Sequence, residues 1–372
     1  MFVLLLAGCW DTNEPERMIY VHGLGIDYED GKYNLYLQIV NPTLLAKSES
    51  TGGQTDTKVI VGHGTGETIN EAIFDVYKSS QRRIFWGHLS YFVFTENVLK
   101  KEGLKAAIDL FDRYRETRYN TWVYTTKEPL FPLLTVLPPL EMSTALSQLS
   151  DPYPKYRQNS IIRPVSLREL LILLNEPPHI ATIPYVGLTK KHTWETDKKS
   201  IKTIELIGAT FISEDTFKKS FLIEEIEGIK WMNEDLTREE LKLKNELSHV
   251  SLLIDNIKIE KKPIIKNNKI HFQISIKVLA KLREIVKREN LNKIEKETEK
   301  LLKSQIQETF RKGLEHELDV FRLSEVLYRQ DVNAWKAVEQ NGKIPLTKDS
   351  LQLSINVKLI NGEKQRKMPT LE

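Results

Sequence analysis

Two five-fold alternations of apolar and polar residues bracket one long helical stripe near the end of the chain. No other feature constrains the fold as much. Ile270, Phe272, Ile274, Ile276 and Val278 alternate with polar residues, and so do Leu351, Leu353, Ile355, Val357 and Leu359. A period of two sends successive side chains to opposite faces, so each segment predicts a strand with one buried and one wet face, the pattern of an antiparallel sheet. Between them, Leu302, Ile306, Phe310, Leu314 and Leu318 recur at helical spacing, with Ile294, Thr298 and Leu301 extending the stripe. This predicts a helix over about 291–319 lying across the apolar face of that sheet. Leu252 to Ile259 predicts a partner for the first strand, through a loop at 265–269.

The first third of the chain reads as mixed α/β. Tyr33, Leu35, Leu37 and Ile39 alternate with polar neighbours, Asp30-Gly31 is a turn signal, and residues 21–27 are the hairpin partner. Residues 43–56 are rich in Ser, Thr and Gly and predict an exposed loop. A short strand is predicted at 58–61. Thr68-Ile69-Asn70-Glu71 is a capping-box pattern that opens a helix to about 79. Residues 84–95 predict a central apolar strand, 99–114 a second amphipathic helix, and 119–126 another strand. Ten of the fifteen prolines fall between Pro129 and Pro184. Proline removes a backbone donor and ends helices, so short elements are expected there. One helix, 167–174, is opened by the capping box Ser166 to Glu169 and stopped by Glu176-Pro177-Pro178. The expected class is therefore α+β and multidomain: an α/β domain at 9–128, a Pro-rich subdomain or linker at 129–195, an α+β domain at 196–363 and a tail at 364–372.

Composition narrows the function. Lysine and arginine number 54 against 51 acidic residues, a net charge of +3, so nothing draws the whole chain toward nucleic acid. Lys281 to Lys303 carries eight basic and five acidic residues, the balance of a solvated helix face. One cysteine excludes an internal disulfide and a cysteine-rich metal site. The eight histidines are not paired at metal-ligand spacing, and no G-x-S-x-G motif is present. Gly62-His63-Gly64-Thr65-Gly66 lies between a predicted strand and helix, where a phosphate loop would sit, but it is neither G-x-G-x-x-G nor a G-K-[ST] loop. It reads as a tight strand-to-helix turn. No enzyme, cofactor or metal is expected.

The lone cysteine, Cys9, follows Leu6-Ala7-Gly8 and an apolar start, the pattern of a bacterial lipobox. Small residues at Ala7 and Gly8 admit an extended segment to the signal peptidase, and Leu6 fills an apolar subsite. Residues 1–8 are then the remnant of a signal peptide. Their apolar run is short and lacks a basic start, so an initiator upstream of Met1 is expected.

The residues that follow carry a resemblance. Cys9-Trp10-Asp11, Glu14-Pro15-Glu16, Gly23 to Asp27, Leu37 to Pro42, Gly66 with Glu71-Ala72, and above all Arg82-Arg83-Ile84-Phe85-Trp86-Gly87-His88 resemble the C-subunit lipoproteins of spore germinant receptors, the Ger(x)C family. The likeness is dense to about Thr126 and thinner beyond it. At Leu318-Asp319-Val320-Phe321 the family often continues with glycines, where this chain has Arg322-Leu323-Ser324. The resemblance implies a non-catalytic subunit of a nutrient receptor, acting in spore germination. It implies a diacylglycerol and an N-acyl chain on Cys9, location on the extracytoplasmic face of the spore inner membrane, and membrane-spanning A- and B-type subunits as partners. The competing reading is a lipid-anchored protein that captures a small ligand in a cleft. Arg82, Arg83, Trp86 and His88 are the candidate partner interface, since Trp and Arg are enriched at binding hot spots; Trp86 reads equally as core.

Overall fold

The computed structural model describes residues 17–40, 59–101, 103–138, 146–190, 194–195, 200–214, 216–243, 250–266, 269–285 and 290–360. The strands are β1 (Met18–Glu29), β2 (Lys32–Val40), β3 (Ile60–Gly66), β4 (Arg83–Phe85), β5 (Tyr91–Thr95), β6 (Trp122–Thr126), β7 (Ile180–Leu188), β8 (Trp194–Glu195), β9 (Ser200–Ile201), β10 (Ile204–Ser213), β11 (Thr216–Leu222), β12 (Glu239–Leu243), β13 (Val250–Lys266), β14 (Lys269–Ile285) and β15 (Leu351–Ile360). The helices are α1 (Ile69–Ser79), α2 (Glu96–Lys100), α3 (Gly103–Asp112), α4 (Leu130–Leu134), α5 (Tyr153–Gln158), α6 (Leu167–Asn175), α7 (Leu291–Glu315), α8 (Leu323–Gln330) and α9 (Val332–Val338). Two compact units form. The first takes in the described residues as far as Thr121 with Lys127–Ser150 and Leu188–Thr203; the second takes Trp122–Thr126, Asp151–Gly187 and the described residues from Ile204. The Pro-rich stretch expected as one piece, 129–195, is thus shared between the units. The tail at 364–372 and the loop at 43–56 lie outside the described residues.

In the first unit, β1 and β2 form the expected hairpin, with Glu29 opposite Lys32. Asp30 and Gly31 both take positive φ (51° and 80°), the geometry that a two-residue hairpin turn requires. β1 pairs in parallel with β4 and β5, and β2 pairs antiparallel with β3. The single apolar strand expected at 84–95 is therefore two strands with a turn between them. The Leu89 N–H donates to the Trp86 carbonyl (3.0 Å) and the Ser90 N–H to the His22 carbonyl (2.8 Å). Trp86 and Leu89 are buried in the turn itself, so the apolar run continues across it. The helix expected at 99–114 is likewise broken into α2 and α3. Gln38, buried on β2, is satisfied from both ends: its amide donates to the Leu134 carbonyl (2.6 Å) and accepts from the Tyr91 hydroxyl (2.6 Å).

The Gly62-Gly64-Gly66 stripe lies within β3 rather than in a turn, and α1 packs directly on it. A Cβ at Gly64 would stand 2.3 Å from the Ala72 carbonyl oxygen, and one at Gly66 would stand 2.5 Å from the Ala72 nitrogen. The glycines are there so that a helix can approach the strand backbone, which bare strand positions permit.

In the second unit, β11, β10, β7 and β6 lie in that order in one sheet, and β12, β13, β14 and β15 in another. The expected hairpin of β13 and β14 holds, with Ile257 opposite Val278. Its turn residues, 267 and 268, lie outside the described residues. β15 is the exception to the antiparallel expectation: it pairs with β14 in parallel, Ile274 against Leu353 and Val278 against Val357. The reason is the helix between them. Parallel neighbours need a crossover, and α7 supplies it. Ile294, Thr298, Leu302, Ile306 and Phe310 of α7 are buried in a core shared with Phe272, Ile274, Ile276 and Val278. On the side of β15 away from β14, α7 also supplies acceptors: Glu299 takes the Val357 N–H (3.0 Å) and Glu295 the Leu359 N–H (2.8 Å).

Gly64→Ala is expected to destabilise the first unit by about 1–3 kcal/mol, because backbone has to move. Gly62→Ala, whose Cβ would meet side chains at ordinary contact distance (Val76 at 3.4 Å and Leu37 at 3.9 Å), should stay within about 0.5 kcal/mol of the parent. Urea unfolding of the two variants checks the contrast.

Candidate functional site

The segment Arg82–His88 divides into an inner and an outer face. Trp86 is 2 % exposed. Its indole N–H donates to the Tyr77 hydroxyl (2.9 Å), and its ring meets Phe111 edge-on with centroids 5.4 Å apart. Burial, with Tyr77 beside it, pushes the neighbouring Tyr114 phenol up to about 12. Trp86 is thus a core residue with its polar edge satisfied. Arg82, Arg83 and His88 are exposed. One oxygen of Glu116 accepts from the Arg83 guanidinium (2.7 Å) and the other from the Trp86 backbone N–H (3.3 Å). A single carboxylate therefore ties the outer arginine to the backbone of the inner tryptophan. His88 packs edge-on against Tyr20, centroids 5.0 Å apart. The outer face combines two guanidinium groups, an imidazole and the Tyr20 and Phe85 rings. Cys9 and its lipobox residues Leu6, Ala7 and Gly8 lie outside the described residues.

The other sequence candidates take structural places. His63 stacks on Tyr36 (4.5 Å), and the Thr65 N–H of the glycine stripe donates to Asp75 (3.2 Å). Its backbone faces helix and carboxylate, which leaves no cradle for a phosphate. Buried His22 meets Ser150 through Nε2 (2.7 Å) and Ser90 through Nδ1 (3.2 Å), with both ring nitrogens engaged. Among the described residues no cluster of three or more His, Cys, Asp or Glu side chains could hold a metal ion, and no helix is long and apolar enough to cross a membrane.

Sequence reasoning passed over a buried ion pair in the second unit. The Lys230 ammonium sits 2.6 Å from Glu239 Oε1, with the two side chains 10 % and 6 % exposed, and 4.9 Å from the Trp231 ring centroid. Glu239 Oε2 is buried without a hydrogen-bond partner. Desolvation pushes the Glu239 carboxyl above the ordinary carboxylate range, opposed by Lys230. Beside it, Gln305 accepts from the Trp231 indole (2.6 Å) and donates to Glu227, which holds the 227–232 turn against α7. The pair lies at a cleft of about 690 Å³ whose lining also includes Arg238, Glu240 and Lys242. Leu241, Leu253 and Leu301 also line it, so the cleft sets charges and hydrogen-bonding groups beside an apolar wall. One signal was available in the sequence. Glu239 occupies the buried phase of a strand whose other inward residues are Leu241 and Leu243; a charge in that phase marks a buried partner elsewhere.

Comparison with known proteins accords with this arrangement. Residues 11–188 match the family model described as the spore germination protein N-terminal domain, and residues 207–360 match that described as spore germination B3/GerAC like, C-terminal. The chain is 23% identical to spore germination protein KC of Bacillus subtilis (strain 168), over 91% of this chain and 87% of that protein. It is also 23% identical to spore germination protein B3 of the same organism, over 97% and 96%. Among solved structures, the crystal structure of the GerBC protein aligns with a TM-score of 0.57 at 18% identity, over 91% of this chain and 97% of that one. At that identity the likeness concerns the fold.

Lys230→Met leaves Glu239 buried without its counter-charge and is expected to cost about 3–5 kcal/mol at neutral pH. The loss should shrink on acidification. Glu239 has a folded-state pKa above its unfolded value, so the penalty is full above that range and fades as pH falls through it. Pairing the change with Glu239→Leu should recover most of the stability, because a well-packed apolar pair replaces a buried ion pair at little cost. Urea unfolding across pH measures all three effects.

Proposed function

Because the chain belongs to the Ger(x)C family of spore germination proteins, we propose that it is a non-catalytic subunit of a nutrient germinant receptor, lipid-anchored through Cys9. The observation that carries the reading is the match over residues 11–188 and 207–360, which begins two residues after Cys9. The anchor is a diacylglycerol on the Cys9 sulfur with an N-acyl chain on its amine. Such multiple chains hold a protein stably where one chain binds only marginally. The body then stands on the extracytoplasmic face of the spore inner membrane, beside membrane-spanning A- and B-type subunits. Its surfaces do the work: the outer face of Arg82, Arg83 and His88 is the candidate contact with those subunits. The second reading, a lipid-anchored binder of small ligands, is favoured by the clefts of the second unit.

Cys9→Ala is expected to move the protein from the membrane to the soluble fraction of spores that lack the partner subunits. Retention of the variant in those membranes would sink the anchoring claim. Pull-down of the lipidated protein from spore membranes should recover both membrane-spanning subunits. In the same assay Arg82→Glu should lower that recovery several-fold with the fold intact. Trp86→Ala should instead act through stability, at about 3–5 kcal/mol for loss of a buried aromatic. Equal recovery with Arg82→Glu would remove this face from the interface. Calorimetry with nutrients separates the two readings, since tight binding by this chain alone favours the second.

A further inference from the structure

Between β7 and β10 the chain makes a short ribbon that joins neither of the larger sheets. β8 and β9 pair only with each other, Trp194 opposite Ile201 and Glu195 opposite Ser200. The base of the ribbon is closed by two bonds. The Thr189 N–H donates to the Thr203 carbonyl (2.9 Å), and the Thr203 N–H donates to the Thr189 hydroxyl (3.0 Å). Directly opposed residues of an antiparallel pair share a face, and their neighbours take the other. Trp194 and Ile201 therefore form one face, and Glu195 and Ser200 the other.

Trp194 differs from the other described tryptophans. It is 54 % exposed, and among the described residues neither a ring nor a side-chain hydrogen bond engages its indole. The others are engaged. Trp86 donates to Tyr77 and Trp231 to Gln305, while Trp122 meets Tyr153 edge-on (5.5 Å) and Trp335 meets Tyr328 (5.1 Å). Charge lies on either side of this free indole. Lys190 and Lys202 stand next to the closing threonines, both exposed and neither paired with a carboxylate among the described residues. From Lys190 to Lys202 the sequence holds five lysines against Glu195 and Asp197. That excess equals the net +3 of the whole chain, so the remainder of the chain is neutral on balance.

We propose that this ribbon is a membrane-contact element. Trp194 and Ile201 enter the headgroup layer of a bilayer containing anionic phospholipid, and Lys190 and Lys202 meet its phosphates. An indole has an apolar body and one polar edge, which suits it to the boundary between hydrocarbon and water. A lysine lays its stem on apolar surface and keeps its ammonium at the wet edge, where an anionic leaflet attracts it. An acidic protein would satisfy the lysines, but a stable protein interface needs about 800 Å² on each side, far more than a two-residue apolar face supplies. The choice of occupant rests on the membrane-side placement proposed above, and the chemistry rests on the ribbon. A second attachment beside the lipid would fix how the body is turned toward its neighbours.

The test is vesicle co-sedimentation of the full 372-residue chain, expressed without lipid. Vesicles of equal phosphatidylglycerol and phosphatidylcholine should bind it at least about tenfold more tightly than phosphatidylcholine alone. Lys190→Glu with Lys202→Glu should weaken anionic binding about tenfold or more. Trp194→Ala should weaken it several-fold. Both variants should keep the parent's urea midpoint, because the altered side chains are exposed. Hydrogen exchange on the unmodified chain gives a readout that needs no variant: anionic vesicles should slow exchange within 189–203. Equal binding to the two kinds of vesicle overturns the proposal, as does unchanged binding by both variants or protection confined to other segments. The chain under test carries no acyl group, so failure here leaves the Cys9 anchor standing, and failure of that anchor leaves vesicle binding standing.

Discussion

The second unit depends on the apolar stripe of α7. Its sheet exposes a row of Ile, Val and Phe side chains that no strand pairing can cover, and the helix buries them with its own Ile294, Leu302, Ile306 and Phe310. The same helix decides strand direction, because it is the crossover that brings β15 back alongside β14 in parallel. It also receives the 227–232 turn, whose Gly228 N–H donates to Thr309 (2.9 Å) and whose Trp231 is fixed by Gln305. The Lys230–Glu239 pair sits at the edge of that contact. Removing the stripe would therefore take with it the sheet, the turn and the cleft beside the ion pair.

The first unit solves a smaller version of the same problem by a different route. Instead of a long helix with large side chains, it brings α1 close to β3 by removing side chains from the strand. Close approach leaves Asp75 within reach of the strand backbone, and Trp86 is anchored at the far end of α1 through Tyr77. The exposed arginine face thus rests on a rigid base. Glu116 links the two layers by accepting from Arg83 outside and Trp86 inside.

Much of this was legible in the residues because it depends on local rules. The Asp30-Gly31 turn, the Thr68 and Ser166 caps, and the period-two runs at 270–278 and 351–359 all announce themselves within a few positions. What was not legible depends on partners distant in the chain. Periodicity marks a strand but says nothing of its direction, so the parallel pairing of β15 could not be read from it. The break between β4 and β5 was hidden because the turn residues Trp86 and Leu89 are as buried as the strands they separate. Glu239 stands in the buried phase of β12, but that its partner is Lys230 shows only once the strand meets the 227–232 turn. Of the candidate residues, Arg82, Arg83 and His88 are exposed, whereas Trp86 is buried.

The carboxylates that α7 lends to β15 have a consequence for how such a protein can be recruited. An outermost strand with unclaimed N–H groups is an open invitation for a neighbour to extend the sheet. Here Glu299 and Glu295 already claim Val357 and Leu359. At these two positions the edge is closed to strand addition, and a partner that meets it there must recognise side chains.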